Sequence, residues 1–143
     1  MPGEDLYGLA RLLNDLGQSD RAEAAFAQSA LNSENASVRE MAMRDLAYLL
    51  KRQERREEAL PWWQELVEGR AAVYACEELA KHYEWQDADL AQAVAWTEQG
   101  IALVRAWAPS SKRRDTLAQL EHRLERLNRK LSLAQEPEDE SPG

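Results

Sequence analysis

Residues that could carry out catalysis or bind a metal are few in this sequence. It contains two histidines, His82 and His122, and a single cysteine, Cys76. Cys76 and His82 do not have the i, i+4 spacing of a helical metal-binding pair, and no glycine-rich phosphate loop, GxSxG turn or HExxH motif occurs. Cys76 falls at a predicted core position, where a buried, inert thiol is expected. We therefore expect no enzyme activity, no catalytic residue, no metal and no cofactor.

A second group of residues has the composition of a binding surface. Tyrosine, arginine and residues of both charge signs are predicted outside the core, on one side of the first helix of three helix pairs. Tyrosine and arginine are enriched at protein interfaces, although a solvated polar helix face could have the same composition. The candidate partner-binding residues are Tyr7, Arg11, Asn14, Arg44, Tyr48, Arg52, Tyr74, Glu77 and Lys81.

The helices that must position these residues follow a pattern that occurs three times. In each copy large apolar residues flank a small alanine on the first helix, and an alanine opens the second helix. The copies are Leu6-x-x-Leu9-Ala10-x-x-Leu13 with Ala22-x-x-x-Phe26, Met43-x-x-Leu46-Ala47-x-x-Leu50 with Ala59-x-x-x-Trp63, and Cys76-x-x-Leu79-Ala80-x-x-Tyr83 with Ala93-x-x-x-Thr97. This pattern resembles the tetratricopeptide (TPR) hairpin, in which small residues mark the close approach of two helices.

The resemblance implies an all-α fold, a right-handed superhelix of three TPR-like hairpins with a C-terminal capping helix. We expect a single domain over residues 1–133, with repeats at about 4–35, 37–69 and 71–107, a capping helix at 113–133, and a disordered acidic tail at 134–143. The predicted helices are 5–16, 20–31, 38–52, 56–68, 72–85, 89–107 and 113–133. Gly17 is expected just after a helix, and Asp20 and Ser37 are expected to cap helix N-termini.

The leucines of the last predicted helix have heptad spacing. They fall at Leu117, Leu120, Leu124, Leu127 and Leu131. This spacing favours burial against the third repeat, and pairing with a second copy in a short antiparallel dimer is the alternative. A monomer or a weak homodimer is expected.

Several segments extend the resemblance beyond a generic repeat. They are similar to the C-terminal helical-repeat region of bacterial RNase H-like (exonuclease-fold) proteins. The matching segments are 4–13 (EDLYGLARLL), 59–66 (ALPWWQEL), 77–84 (EELAKHYE), 93–98 (AVAWTE) and 120–124 (LEHRL). The nuclease-like domain of that family lies upstream with its acidic metal ligands and has no counterpart here. The resemblance implies an accessory module without nuclease activity of its own.

One binding mechanism of TPR domains can be tested against the sequence. A carboxylate clamp grips a peptide C-terminus through lysine, asparagine and arginine at fixed positions of the first helices. The matching positions here are Tyr7, Arg11, Asp45, Tyr74 and Glu78, of which only Arg11 is basic. A carboxylate clamp is not expected, whereas a short linear peptide or a folded protein remains a suitable partner.

The charge distribution limits the other classes of partner. The formal net charge is −8, so general attraction to a phosphate backbone is disfavoured. The last helix is the basic exception, with Arg123, Arg126, Arg129 and Lys130, although these four cannot all face the same way.

No apolar run is long enough for a membrane span, and residues 1–5 do not resemble a secretory signal. Together with the lone cysteine, these features predict a cytoplasmic protein with no membrane partner.

These observations lead to two functional hypotheses. The first is a non-catalytic scaffold that binds a protein or peptide on the concave face of a TPR superhelix. The alternative is an accessory nucleic-acid-holding or self-association module of an RNase H-like nuclease.

Overall fold

A computed structural model describes residues 2–135, and every regular element in that range is a helix. The helices are α1 (Gly3–Asp15), α2 (Ser19–Asn32), α3 (Ala36–Arg52), α4 (Arg56–Leu66), α5 (Ala72–Trp85), α6 (Leu90–Arg105) and α7 (Ser111–Gln135). The predicted all-α class is confirmed. The tail predicted at 134–143 lies outside the described residues from position 136 onward.

All seven predicted helices occur, and α5 has the predicted bounds. Gly17 follows α1 with a φ of +76°, the left-handed conformation that glycine adopts readily just after a helix. Pro61 is the sixth residue of α4. Proline has no N–H to donate to the carbonyl of Glu57 four residues earlier, and the helix nevertheless continues through it.

The predicted caps of two helices were wrong. α2 begins at Ser19, so Asp20 lies in its first turn, and no side chain caps this helix. Asn35 caps α3 in place of Ser37, because its Oδ1 accepts hydrogen bonds from the amides of Ser37 at 2.9 Å and Val38 at 3.3 Å. Asparagine and serine are both good N-caps, so the sequence alone does not decide between them.

The chain divides into two compact units, residues 1–75 and 76–143. In the first unit, α1 to α4 pack in sequence, each against the next, and α1 also contacts α3. The alanines of the repeated pattern, Ala10, Ala22, Ala47 and Ala59, are completely buried, as is Trp63. The predicted close approach of helices at small residues is therefore found in this unit.

In the second unit, α7 packs against α6. Leu120 and Leu127 are buried, and the other three heptad leucines are half-buried. Gly100 of α6 lies close to this core, since a Cβ atom there would be 3.4 Å from the Cβ of Cys76 and 3.6 Å from Leu120 Cδ1. The leucine seam thus contributes to the core of its own chain. The prediction of one domain over residues 1–133 stays a prediction.

The seam provides a test of how much α7 stabilises the fold. Leu120→Ala should lower the free energy of unfolding by about 3 kcal/mol, because it leaves a cavity at a buried position. Leu133→Ala on the same helix is the control and should change it by less than about 0.5 kcal/mol, since Leu133 is 68% exposed. Urea denaturation followed by circular dichroism measures both values. Equal losses in the two variants would contradict the packing described here.

Candidate functional site

The first unit has a continuous concave surface between α1 and α3. One part has a volume of about 370 Å³. A neighbouring part of about 310 Å³ shares Asn14 and Tyr48 with it. We call this surface the α1/α3 face. The side chains that line it from the two helices are Tyr7, Arg11, Asn14, Asp15, Asp45, Tyr48, Leu49 and Arg52.

Helical spacing explains why these residues share one surface. Tyr7, Arg11 and Asn14 follow one another at intervals of four and three on α1. Asp45, Tyr48 and Arg52 do so at intervals of three and four on α3. Residues three or four apart lie on the same side of a helix, and α1 packs directly against α3.

Tyr7 connects the two helices of the face. Its hydroxyl donates a hydrogen bond to Asp45 Oδ2 at 2.6 Å. Its ring contacts Phe26 of α2, with 6.0 Å between ring centroids. Burial, followed by the hydrogen bond and the negative charge of Asp45, raises the pKa of Tyr7 to about 12. Tyr7 therefore stays neutral over the physiological range and keeps Asp45 hydrogen-bonded.

Arginine side chains of the face lie near aromatic rings. The guanidinium carbon of Arg11 is 5.9 Å from the centroid of Tyr7, and that of Arg52 is 5.9 Å from the centroid of Tyr48. Both distances are within the range of a cation–π interaction. Tyr48 is nevertheless 52% exposed, so part of its side chain can still contact a partner.

A further arginine and tyrosine lie beside the α1/α3 face. Arg44 of α3 has its guanidinium carbon 4.4 Å from the ring centroid of Tyr74, in the first turn of α5. Arg44 also lines a concavity of about 290 Å³ together with Met41 and Arg70. The close stacking restricts the Arg44 side chain before any partner binds.

The structure groups the nine predicted binding residues unevenly. Five of them, Tyr7, Arg11, Asn14, Tyr48 and Arg52, lie together on the α1/α3 face, and Arg44 and Tyr74 pair beside it. The remaining two, Glu77 and Lys81, belong to the second unit. Burial raises the pKa of Glu77, which is half-buried. Lys81 forms an ion pair with Glu78 at 3.5 Å.

Glu78 and Phe26 differ from their predicted surroundings. Glu78, one of the positions that match a carboxylate clamp, is buried. Phe26 was predicted only as a core residue. It is buried, yet it also lines the α1/α3 face beside Tyr7. A phenylalanine at a core position carries no signal in the sequence for such a double role.

The second unit contains a buried ion cluster that the sequence did not predict. The side chain of Glu84 is completely buried and pairs with three basic residues of α7: Arg126 at 2.8 Å, Lys130 at 2.7 Å and Arg123 at 3.4 Å. Lys130 also lies 4.0 Å from the ring centroid of Trp85. We call Glu84, Arg123, Arg126 and Lys130 the Glu84 cluster.

The Glu84 cluster changes how the basic last helix is interpreted. Of the four basic residues in its second half, Arg123, Arg126 and Lys130 face one buried carboxylate, whereas Arg129 is exposed. Intervals of three and four residues between Arg123, Arg126 and Lys130 were a usable signal in the sequence for a common side. Trp85, which lies beside this cluster, is 62% exposed.

Chemistry at the histidines and the cysteine is limited by burial. Cys76 is fully buried, and burial raises the pKa of its thiol to about 11. His82 is also buried, with Nε2 3.0 Å from Asp87 Oδ2. Across residues 2–135, no three or more histidine, cysteine, aspartate or glutamate side chains are grouped to hold a metal ion. Within the same range, no helix has both the length and the apolar character needed to cross a membrane.

Comparison of the chain with protein-family models, with curated proteins and with solved structures finds no match. The resemblances to TPR repeats and to the helical region of RNase H-like proteins therefore stay predictions. Functional inference has to start from the α1/α3 face and the Glu84 cluster themselves.

The bond between Tyr7 and Asp45 is tested by Tyr7→Phe. Loss of the hydroxyl should lower the free energy of unfolding by about 1–2 kcal/mol, because Asp45 loses a charge-assisted hydrogen bond.

Since the folded pKa of Tyr7 lies above the unfolded value of about 10, its contribution is complete below pH 10 and is lost as the pH rises towards 12. Ultraviolet titration should lose its step near pH 12 in Tyr7→Phe and retain it in Tyr48→Phe. A step near pH 12 that persists in Tyr7→Phe would contradict the raised pKa of Tyr7.

The Glu84 cluster is tested by Glu84→Gln. The variant should lose about 3 kcal/mol of stability at pH 7, because three cations lose their buried carboxylate. Glu121→Gln is the matched control on an exposed ion pair with Arg105 at 3.6 Å, where a loss below about 1 kcal/mol is expected. Chemical denaturation measures both.

The same variants have a predicted pH dependence. Burial opposes ionisation of Glu84, but its hydrogen bonds to Arg126 and Lys130 and their charges outweigh this and lower its pKa. The stabilisation is therefore present above the unfolded glutamate pKa of about 4.3 and is lost as the pH falls through the lower folded value. Acid titration of stability should show a steeper decline in the wild type than in Glu84→Gln. Parallel curves would contradict the pKa assignment.

Proposed function

We propose that this chain is a non-catalytic scaffold that binds a protein or peptide on the α1/α3 face. The proposal includes a right-handed superhelix of TPR-like hairpins, in which this face would belong to the concave side. The observation that carries it is the grouping of Tyr7, Arg11, Asn14, Tyr48 and Arg52 on one concave surface between two packed helices.

Side chains of the α1/α3 face are held in place by contacts with one another, which favours a binding surface and not merely a solvated one. Tyr7 is fixed by its hydrogen bond to Asp45, and Arg52 lies beside the ring of Tyr48. Ordering such side chains before a partner arrives reduces the entropy lost on association. Tyr48 combines this ordering with an exposed aromatic surface, which is the usual character of an interface hot spot.

Nucleic-acid binding has less support from the same residues. The strongest basic signal in the sequence was on α7, and Arg123, Arg126 and Lys130 of that helix pair with Glu84. Cations paired in this way neutralise fewer phosphates, and so displace fewer of the counterions condensed on a nucleic acid, than unpaired cations would. The accessory nucleic-acid role is therefore the weaker proposal.

Affinity capture from a bacterial lysate, with nuclease treatment, tests the proposal. Tyr48→Ala should weaken recovery of a specific partner by about thirtyfold in Kd, as expected for the loss of a central aromatic contact worth about 2 kcal/mol. Leu31→Ala is the matched control, because Leu31 is a large residue of α2 that is 68% exposed and lies away from the face. The Kd of each captured protein is then measured with the purified variants.

A partner that survives nuclease treatment, depends on Tyr48 and tolerates Leu31→Ala is the expected result. Partners whose binding is unaffected by Tyr48→Ala would place the binding surface elsewhere and overturn the proposal. Recovery that disappears with nuclease treatment would favour the nucleic-acid role.

A further inference from the structure

One side of α3 carries a regular sequence of charged and aromatic side chains. Arg44, Tyr48 and Arg52 follow at intervals of four residues and are all exposed. The helix is continuous over this stretch, from Ala36 to Arg52. At a rise of about 1.5 Å per residue, the backbone positions of Arg44 and Arg52 are about 12 Å apart along the axis, with Tyr48 midway.

The two arginines of this row are held by rings and not by carboxylates. Arg44 stacks on Tyr74 at 4.4 Å, and Arg52 lies 5.9 Å from the Tyr48 ring. Within residues 2–135 neither forms an ion pair, in contrast to Arg55, which pairs with both Glu23 and Glu58. A guanidinium stacked on a ring keeps its N–H groups in its own plane, where they can donate to a carboxylate.

Three acidic side chains line the concavities beside the row, namely Glu40 next to Arg44, and Asp15 and Asp45 next to Tyr48. Asp45 follows Arg44 directly and accepts the hydroxyl hydrogen bond of Tyr7. This bond occupies one of its oxygens and reduces its repulsion of an incoming carboxylate. Acidic residues outnumber basic ones in the first unit as a whole, but charges farther away than about 8 Å are largely screened at physiological ionic strength. The guanidinium groups of Arg44 and Arg52 are the charges that a carboxylate placed on the row would contact directly.

The spacing of the row matches an extended peptide. A β-strand rises about 3.3 Å per residue, so 12 Å corresponds to about four residues, and every second side chain points to the same side. We propose that the α3 row binds an extended segment with an acidic residue, an aromatic or large apolar residue two positions later, and a second acidic residue two positions after that. The acidic residues would meet Arg44 and Arg52, and the central residue would contact Tyr48. This inference rests on the proposed function and specifies its ligand.

Such a ligand does not require a free C-terminus. Only Arg11 is basic among the positions that match a carboxylate clamp, whereas the α3 row offers two arginines to side-chain carboxylates. The segment can therefore lie inside a longer chain. A peptide blocked at both ends is the appropriate probe.

The probe is acetyl-Gly-Glu-Ser-Phe-Ser-Glu-Gly-amide, titrated into the full chain and followed by ¹H–¹⁵N NMR, which detects weak binding. Arg44→Gln and Arg52→Gln should each weaken binding about tenfold, as expected for the loss of a charge-assisted contact. Arg21→Gln is the matched control, because Arg21 is exposed on α2 and bonds only to Gln18 among the described residues, and it should bind within about twofold of the wild type. Replacing both glutamates of the probe by glutamine should weaken binding by at least as much as either arginine variant.

Two results would overturn the inference: no binding of the probe, or equal binding of the glutamate and glutamine peptides. A probe with its acidic residues on either side of the phenylalanine, Glu-Phe-Glu, tests the spacing and should bind about tenfold more weakly. Equal affinity for this probe would contradict the four-residue match between peptide and helix.

Selection from a random peptide library separates this inference from the proposed function. Peptides that need Tyr48 and share the acidic spacing support both. Peptides that need Tyr48 but lack paired acidic residues leave the scaffold proposal standing and overturn the acidic specificity. Selected peptides that bind Tyr48→Ala as well as the wild type overturn both.

Discussion

The close approach of helices at buried alanines is the constraint on which the first unit depends. Ala10, Ala22, Ala47 and Ala59 have no exposed surface, and larger side chains there would push the helices apart. The 2.6 Å bond between Tyr7 and Asp45 spans α1 and α3 and leaves little room for such a shift. The binding surface is thus a consequence of packing at small residues that do not themselves line it.

The fold class was predictable because its signals are local and repeated. Apolar residues at helical spacing predicted all seven helices of the described residues, and they predicted both ends of α5 correctly. The caps were less predictable, since Asn35 and Ser37 are both suitable and the choice depends on where the chain turns. The end of α1 at Gly17 was predictable, because a left-handed residue after a helix is most often glycine.

The candidate site was predictable only in part, for a different reason. Helical periodicity was sufficient to place Tyr7, Arg11 and Asn14 on one side of α1, but it gave no distance to α3. The Glu84 cluster was missed because its carboxylate and its cations are about forty residues apart in sequence, and nothing local marks Glu84 for burial. Arginines on this chain consequently have two roles, as partners of carboxylates at Glu84 and as neighbours of aromatic rings on α3.

The burial of the only cysteine has a practical consequence. Cys76 has no exposed surface, and its thiol, with a pKa of about 11, is almost entirely protonated at neutral pH. An alkylating reagent can therefore modify it only when the surrounding helices separate, which makes the alkylation rate a measure of the free energy of that opening. Because there is one thiol per molecule, each modification event reports a single location. Alkylation of Cys76 thus measures local unfolding around this residue without the introduction of any label.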